Sequence, residues 1–253
     1  MLEDYLNKRK QKKSLLLMAH LVIGYPSIED NYKMLDAMAE CDTDIVELQF
    51  PFSEPMADGP LFVQANHKAL ESHITIDQCF EFMSKVTKRY DFPVLMMGYY
   101  NTVYVRGEER FCKDLKNAGG SGFIVPDLPL SESKLLFSCA KDNEIDPILI
   151  ITPNSDLERK KVLSDASKGF VYCVARKGVT GLKTEFDKDF HDYIEDVRSV
   201  CSKPVALGFG VKSKEDFDSI RGVADIAVLG TAALKAYEEG GVKAFSELLR
   251  SHL

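Results

Sequence analysis

Eight short apolar runs punctuate this chain, and none alternates apolar with polar residues. They are "LLLMAHLVI" (15–23), "DIVEL" (44–48), "PVLMMGY" (93–99), "GFIVP" (122–126), "PILIIT" (147–152), "GFVYCVA" (169–175), "PVALGFG" (204–210) and "DIAVLG" (225–230). A strand with one wet face reads apolar, polar, apolar. A continuous run is buried on both faces, as in a parallel sheet covered by helices. The stretches between the runs carry helical spacing. Phe111, Leu115 and Ala118 fall at i, i+4 and i+7, and Phe190, Tyr193, Ile194, Val197 and Val200 share one face. Ser213, with Asp216 three residues on, has the pattern of a helix start. Strand and helix alternate throughout, without a Ser/Gly linker, and the unit is too irregular for a solenoid. In 253 residues, eight such units predict an α/β chain forming one domain over 1–253. The architecture that fits best is a (β/α)8 TIM barrel with an extra N-terminal helix; the alternative is a doubly wound open sheet.

The start of the chain, "KRKQKKSLLLMAHLVIGYP", has the basic-then-apolar order of a secretion signal. Glu3 and Asp4 before the basic run, His20 within the apolar one, and the lack of a small-x-small cleavage pattern argue instead for a helix followed by a buried strand. The run is too short to cross a bilayer as a helix. A net charge of −7 argues against a protein that grips nucleic-acid backbones. The six cysteines stand singly, without a C-x-x-C pair, which reads as reduced thiols in a cytoplasmic protein. The five histidines show no metal-ligand spacing, so no metal is expected.

In such a barrel the working residues sit where strands end at their C-termini. Glu47 holds that place on the second strand. Apolar neighbours make its ionisation costly and raise its pKa toward the range useful for proton transfer; a structural Glu paired with a cation would look the same in sequence. Asp58, in "EPMADGP", could be a plain turn former. Brought to the same end of the barrel as Glu47, it makes a pair in which one acid moves protons and the other steadies positive charge. "GFG" (208–210) after the seventh run and "GTAAL" (230–234) after the eighth lie where barrels build phosphate sites from backbone N–H groups and a helix N-terminus. "ARKGVTGLK" (175–183) has the composition of a loop that closes over substrate, and Tyr172, on the strand before it, is core or points into the mouth. Unaided, the residues describe a barrel for a small phosphorylated molecule with carboxylate acid–base chemistry.

"VELQFPFSEPMADGP" (46–60) resembles the signature of the tryptophan synthase α subunit family, whose usual form is E-L-G-[IV]-P-F-S-D-P-[LM]-A-D-G-P. The likeness continues in order through "IGYPS", "GYYN" (98–101), "PDLPLSES" (126–133), "ITPNS" (151–155), "GVTG" (178–181), "ALGFGVKS" (206–213) and "LGTA" (229–232). It implies a lyase that splits indole-3-glycerol phosphate into indole and glyceraldehyde 3-phosphate, without metal or organic cofactor. On the matching positions, Glu47 is implied as acid and base, Asp58 as acceptor of the indole N–H, and Tyr172 as a neighbour of Glu47. Gly181, Gly210 and Thr231 are implied as phosphate contacts, with Gly208, Phe209 and Gly230 shaping that pocket. Thr180 is implied to belong to the closing loop and to meet Asp58 when that loop shuts. The family's partner is a β subunit that carries pyridoxal phosphate, in an αββα assembly. Pro51, Glu54, Asn101 and Pro129 match positions that face it.

The chain departs from the family's pattern around the site. Gln49 replaces a glycine, where its side chain could crowd Glu47 or hydrogen-bond to it. His20 stands in place of an aromatic residue that contacts indole, Val22 in place of Thr and Tyr25 in place of Asp. Glu54 replaces Asp, and Val63 replaces Gln. These changes leave two readings: an active lyase, or a subunit of impaired turnover that mainly activates β.

Overall fold

Each apolar run becomes a strand: β1 (Leu16–Val22), β2 (Ile45–Gln49), β3 (Val94–Met97), β4 (Gly122–Ile124), β5 (Asp146–Ile151), β6 (Val171–Val174), β7 (Val205–Gly208) and β8 (Ile226–Leu229). In the computed structural model, which describes residues 2–174, 188–208 and 210–251, every strand pairs in parallel with the next, and β8 pairs with β1. Closure of that ring excludes the open doubly wound sheet. The (β/α)8 barrel therefore holds.

Helices cover the ring: α1 (Leu2–Lys10), α2 (Ile28–Glu40), α3 (Pro60–Glu71), α4 (Ile76–Arg89), α5 (Tyr100–Arg106), α6 (Glu108–Asn117), α7 (Lys134–Asp142), α8 (Leu157–Ala166), α9 (Lys188–Val200), α10 (Lys214–Ile220) and α11 (Thr231–Arg250). α11 is kinked at Gly240 and Gly241, whose backbone angles are not helical. Among the described residues no helix is long and apolar enough to cross a membrane.

Strand side chains alternate between two cores, which is why the runs are apolar throughout. Leu17, Ala19, Leu21, Val46 and Leu48 point outward, into the layer that includes Phe80, Phe111 and Phe245 of the helices. Leu16, Met18, Ile45, Leu95, Ile124, Ile148, Ala206 and Ile226 fill the barrel itself. The expected helix faces are the ones that pack: Phe111 and Leu115 on α6, and Phe190, Tyr193, Ile194 and Val197 on α9, are buried.

The extra N-terminal helix belongs to the interior core. Leu2 and Leu6 of α1 pack into it, each contributing roughly 1.5–3 kcal/mol by burial. Arg9 fastens that helix to Asp44, just before β2, at 2.5 Å, and Asp44 also accepts from the backbone of Leu17 at 2.9 Å. One end of the barrel is thus tied shut. At the opposite end the interior positions turn polar.

Candidate active site

Register creates that polar layer. His20 on β1 lies beside Glu47 on β2, and Val22 beside Gln49, so His20, Glu47 and Gln49 enter the interior in neighbouring layers at the C-terminal end. Glu47 is 3% exposed and Gln49 is fully buried. Burial pushes the Glu47 carboxyl up to about 8, and the negative charge of Asp58 adds to the rise. Burial pushes His20 down to about 3, which the neighbouring Gln49 side chain only partly offsets. The His20 ring stacks on Phe62 with centroids 4.4 Å apart, and its Nδ1 is 3.9 Å from Glu47 Oε2. Three side-chain atoms of this layer, His20 Nε2, Glu47 Oε2 and Gln49 Oε1, are buried without a hydrogen-bond partner. Buried polar atoms left unpaired are costly, and they cluster where a ligand is to be met.

Asp58 comes from the loop between β2 and α3, and several anchors hold it. Phe52 N–H donates to Asn66 Oδ1 at 2.9 Å, Ala57 N–H to the Tyr99 hydroxyl at 3.1 Å, and the Phe52 ring stacks on Tyr99 at 5.1 Å. Asp58 Oδ2 accepts from Gln49 Nε2 at 2.6 Å and from the Tyr99 hydroxyl at 2.9 Å. Burial raises the Asp58 pKa while these two bonds lower it, and the net direction is upward. The negative charge of Asp58 helps to raise Glu47, so Asp58 ionises first and Glu47 keeps its proton to higher pH. Gln49 therefore bonds to the loop acid. It does not bond to Glu47, as the sequence had left open, because its amide reaches across the mouth to the loop carboxylate.

Tyr172 is buried on β6, and burial first, then the fields of Glu47 and Asp58, hold its phenol far above the ordinary range. Gly208, two residues along β7 from the register partner of Tyr172, leaves the space that the ring fills; a Cβ there would overlap Tyr172. This gives Gly208 a packing reason that the phosphate reading of "GFG" did not contain. Gly210 has φ +101°, a backbone shape that glycine adopts without strain. Gly230 precedes α11 and offers no side-chain cap, and no acidic residue lies in that helix's first turn, which begins at Thr231. By contrast, α10 is already capped by Ser213 and Asp216 in a reciprocal box. Of the two helix starts beyond β7 and β8, that of α11 is the one left open to an anion. Thr180, Gly181 and Phe209 lie outside the described residues.

Among the departures, Val22 and Tyr25 are packed in one apolar cluster with Phe62, Ala65, Ala69 and Leu234. The Tyr25 hydroxyl donates to Glu238 of α11, so this position ties the first loop to the last helix. Glu54, Asn101 and Pro129 are exposed, while Pro51 is buried. Tyr99, Phe62 and Asn66 were given no role in sequence. Tyr99 carried a signal all the same, standing just past a strand end inside "GYYN".

A closed barrel with a buried, protonated Glu beside an anchored Asp at its strand ends is an acid–base enzyme scaffold of the (β/α)8 class. The chain belongs to the tryptophan synthase alpha chain family, whose model matches residues 6–250. It is 43% identical over 251 residues to the alpha chain of Syntrophotalea carbinolica, covering 99% of each chain. To that of Desulfotalea psychrophila it is 42% identical, covering 99% of this chain and 98% of the relative. Among solved structures, it resembles tryptophan synthase of Mycobacterium tuberculosis with a TM-score of 0.91 and 28% identity, covering 99% of this chain and 96% of that one. It also resembles a chain of the tryptophan synthase complex of Pyrococcus furiosus, with a TM-score of 0.85 and 29% identity over 94% and 97% of the two chains.

Proposed function

We propose that this barrel cleaves indole-3-glycerol phosphate to indole and glyceraldehyde 3-phosphate, with Glu47 as the acid and base. Membership of the tryptophan synthase alpha chain family supports the lyase activity. The observation that carries the assignment of roles is the pair of carboxyls at the barrel mouth: Glu47, buried and pushed up to about 8, and Asp58, held by Gln49 and Tyr99, whose charge adds to that rise. Protonated Glu47 delivers its proton to C3 of the indole ring. The positive charge that appears on the ring nitrogen is met by Asp58, which accepts its N–H. The Glu47 carboxylate then takes the proton of the hydroxyl on the carbon bonded to C3. That oxygen becomes the aldehyde, the carbon–carbon bond breaks, and its electron pair restores the neutral indole. Glu47 ends as it began, protonated.

Tyr172 lines the mouth on the far wall. Gly210, Gly230 and Thr231 hold the phosphate, with Gly208 setting the shape of that wall, and Gly181, Phe209 and Thr180 complete the pocket and its closing loop. The steps use this chain's own side chains and no cofactor. Similar structures from Pyrococcus furiosus that are described as tryptophan synthase complexes support a β subunit as partner; we assign pyridoxal phosphate to that subunit and an αββα form to the assembly. We take residues 1–253 as one domain, and six free, buried cysteines fit a reducing, cytoplasmic setting. No observation favours the reading as a turnover-poor activator.

Steady-state indole release from indole-3-glycerol phosphate tests the proposal. Glu47→Gln is expected to lower kcat by three decades or more with the fold intact. Negligible release by the unaltered protein, with or without β, would overturn it.

A further inference from the structure

Gln49 ends β2 two residues beyond Glu47 and so faces the same interior. It is fully buried, its Nε2 is spent on Asp58 Oδ2 at 2.6 Å, and its Oε1 has no partner. Reversing the amide would set oxygen against a carboxylate, so the hydrogen bond itself fixes which way the side chain lies. Tyr99 donates to the same oxygen, Oδ2, and among the described residues no donor reaches Oδ1. The family's usual glycine would offer no such donor.

We infer that Gln49 is a positioning residue for the reaction: with Tyr99 it clamps Oδ2 of Asp58 and presents Oδ1 to the ring N–H of the substrate. The inference rests on the reading of Asp58 as acceptor of that N–H. The loop that carries Asp58 also bears exposed Met56 and Glu54. Left to its own anchors, a loop acid would sample several orientations; a donor from a barrel strand ties it to the rigid wall that also holds Glu47. The Gln49 bond has a second effect, since it lowers the Asp58 pKa against the upward push of burial. It thereby keeps the division of labour in which Asp58 is charged while Glu47 holds the proton.

Gln49→Met keeps side-chain length and removes the donor. For indole-3-glycerol phosphate cleavage, kcat/KM is expected to fall about 10- to 100-fold. The acid limb of its pH profile should move upward by roughly half to one unit, because a carboxylate stripped of a donor holds its proton longer. The basic limb, set by Glu47, should stay in place. A residue that merely supports the fold would lower the folded fraction, seen in thermal melts, and leave the limb where it was. An unmoved acid limb with kcat/KM within twofold of the parent overturns the inference. If the parent protein releases no indole, the functional reading fails by itself. The Asp58 pKa, followed by carbon NMR and assigned with Asp58→Asn, then decides whether Gln49 acts on Asp58: a rise in Gln49→Met supports it and an unchanged value refutes it. Should Gln49→Met fail to fold, Gln49→Asn, whose shorter arm loosens the same bond, is expected to change in the same directions by less.

Discussion

His20 and Glu47 face one another at 3.9 Å without forming an ion pair. With His20 lowered to about 3 and Glu47 raised to about 8, both are neutral at every pH between those values. The stability of the protein records this. A carboxyl whose folded pKa lies above its unfolded value binds its proton more tightly when folded. Its contribution is complete below the unfolded value near 4.5 and is lost as pH rises toward 8. Glutamine at this position has no proton to lose. The stability of Glu47→Gln relative to the parent should therefore climb between pH 5 and pH 7 by roughly 1.4 kcal/mol per unit. Burial of neutral His20 destabilises both proteins equally as pH falls below its unfolded value, so it cancels in the difference. Denaturant unfolding at several pH values measures this, and a difference that stays flat would show Glu47 to be ionised in the folded state. Glu47 and Asp58 were legible in the sequence because a carboxylate at the tip of an apolar strand, and another in a Pro-rich loop beside it, break local rules. The bond from Gln49 to Asp58 was not legible. It depends on how far a loop folds back over the mouth, and no spacing encodes that.

At the scale of elements, strands and their order were the readable part. Burial on both faces writes itself as an unbroken apolar run, and each of the eight runs holds all or nearly all of a strand. Glycines were harder, because one residue type serves turns, anion sites and close packing alike. Gly208 shows the difficulty: "GFG" suggested a phosphate loop, whereas the structure puts the Tyr172 ring where a Cβ of residue 208 would be. The side chains of β6 and β7 interlock there, Tyr172 against Ala206 and Val174 against Gly208 in register. Gly208→Ala should force the Tyr172 ring from its place or part the two strands, at a cost of about 1–3 kcal/mol in stability. Indole release should fall as well, since the displaced ring would enter the mouth. A paired comparison with Ala206→Gly, which removes a contact without adding one, separates crowding from strand weakening. Equal stability of Gly208→Ala and the parent would place the ring elsewhere. The start of α11 gives the opposite lesson. "GTAAL" was read as the start of a helix, and α11 does begin there, at Thr231; that Gly230 gives it no side-chain cap was added by the structure.

For the molecule as a whole, the strand ends of β2, β3 and β4 share one side of the mouth, and large apolar side chains stand out in solvent there. Met56 is 73% exposed, Tyr104 66% and Val105 76%. Glu54 and Asn101, matched in sequence to positions that meet a partner, lie in the same two segments. Single exposed apolar residues are ordinary on a protein surface. Three in one loop and the neighbouring helix α5, next to the working end of the barrel, have the composition of an interface core with a polar rim. The same loop holds Asp58, so a partner seated on Met56 would press directly on the segment that positions the second acid. Val105→Asp sets an unpaired charge in the proposed contact and touches neither Glu47 nor Asp58. It should weaken association with the β subunit by tenfold or more, as measured by sedimentation or calorimetry, while indole release by the free chain stays within twofold. Met56→Asp should weaken association in the same way and also blunt any rise in lyase turnover that β brings, because the contact and Asp58 share one loop. Unchanged affinity in both variants would move the partner to another face.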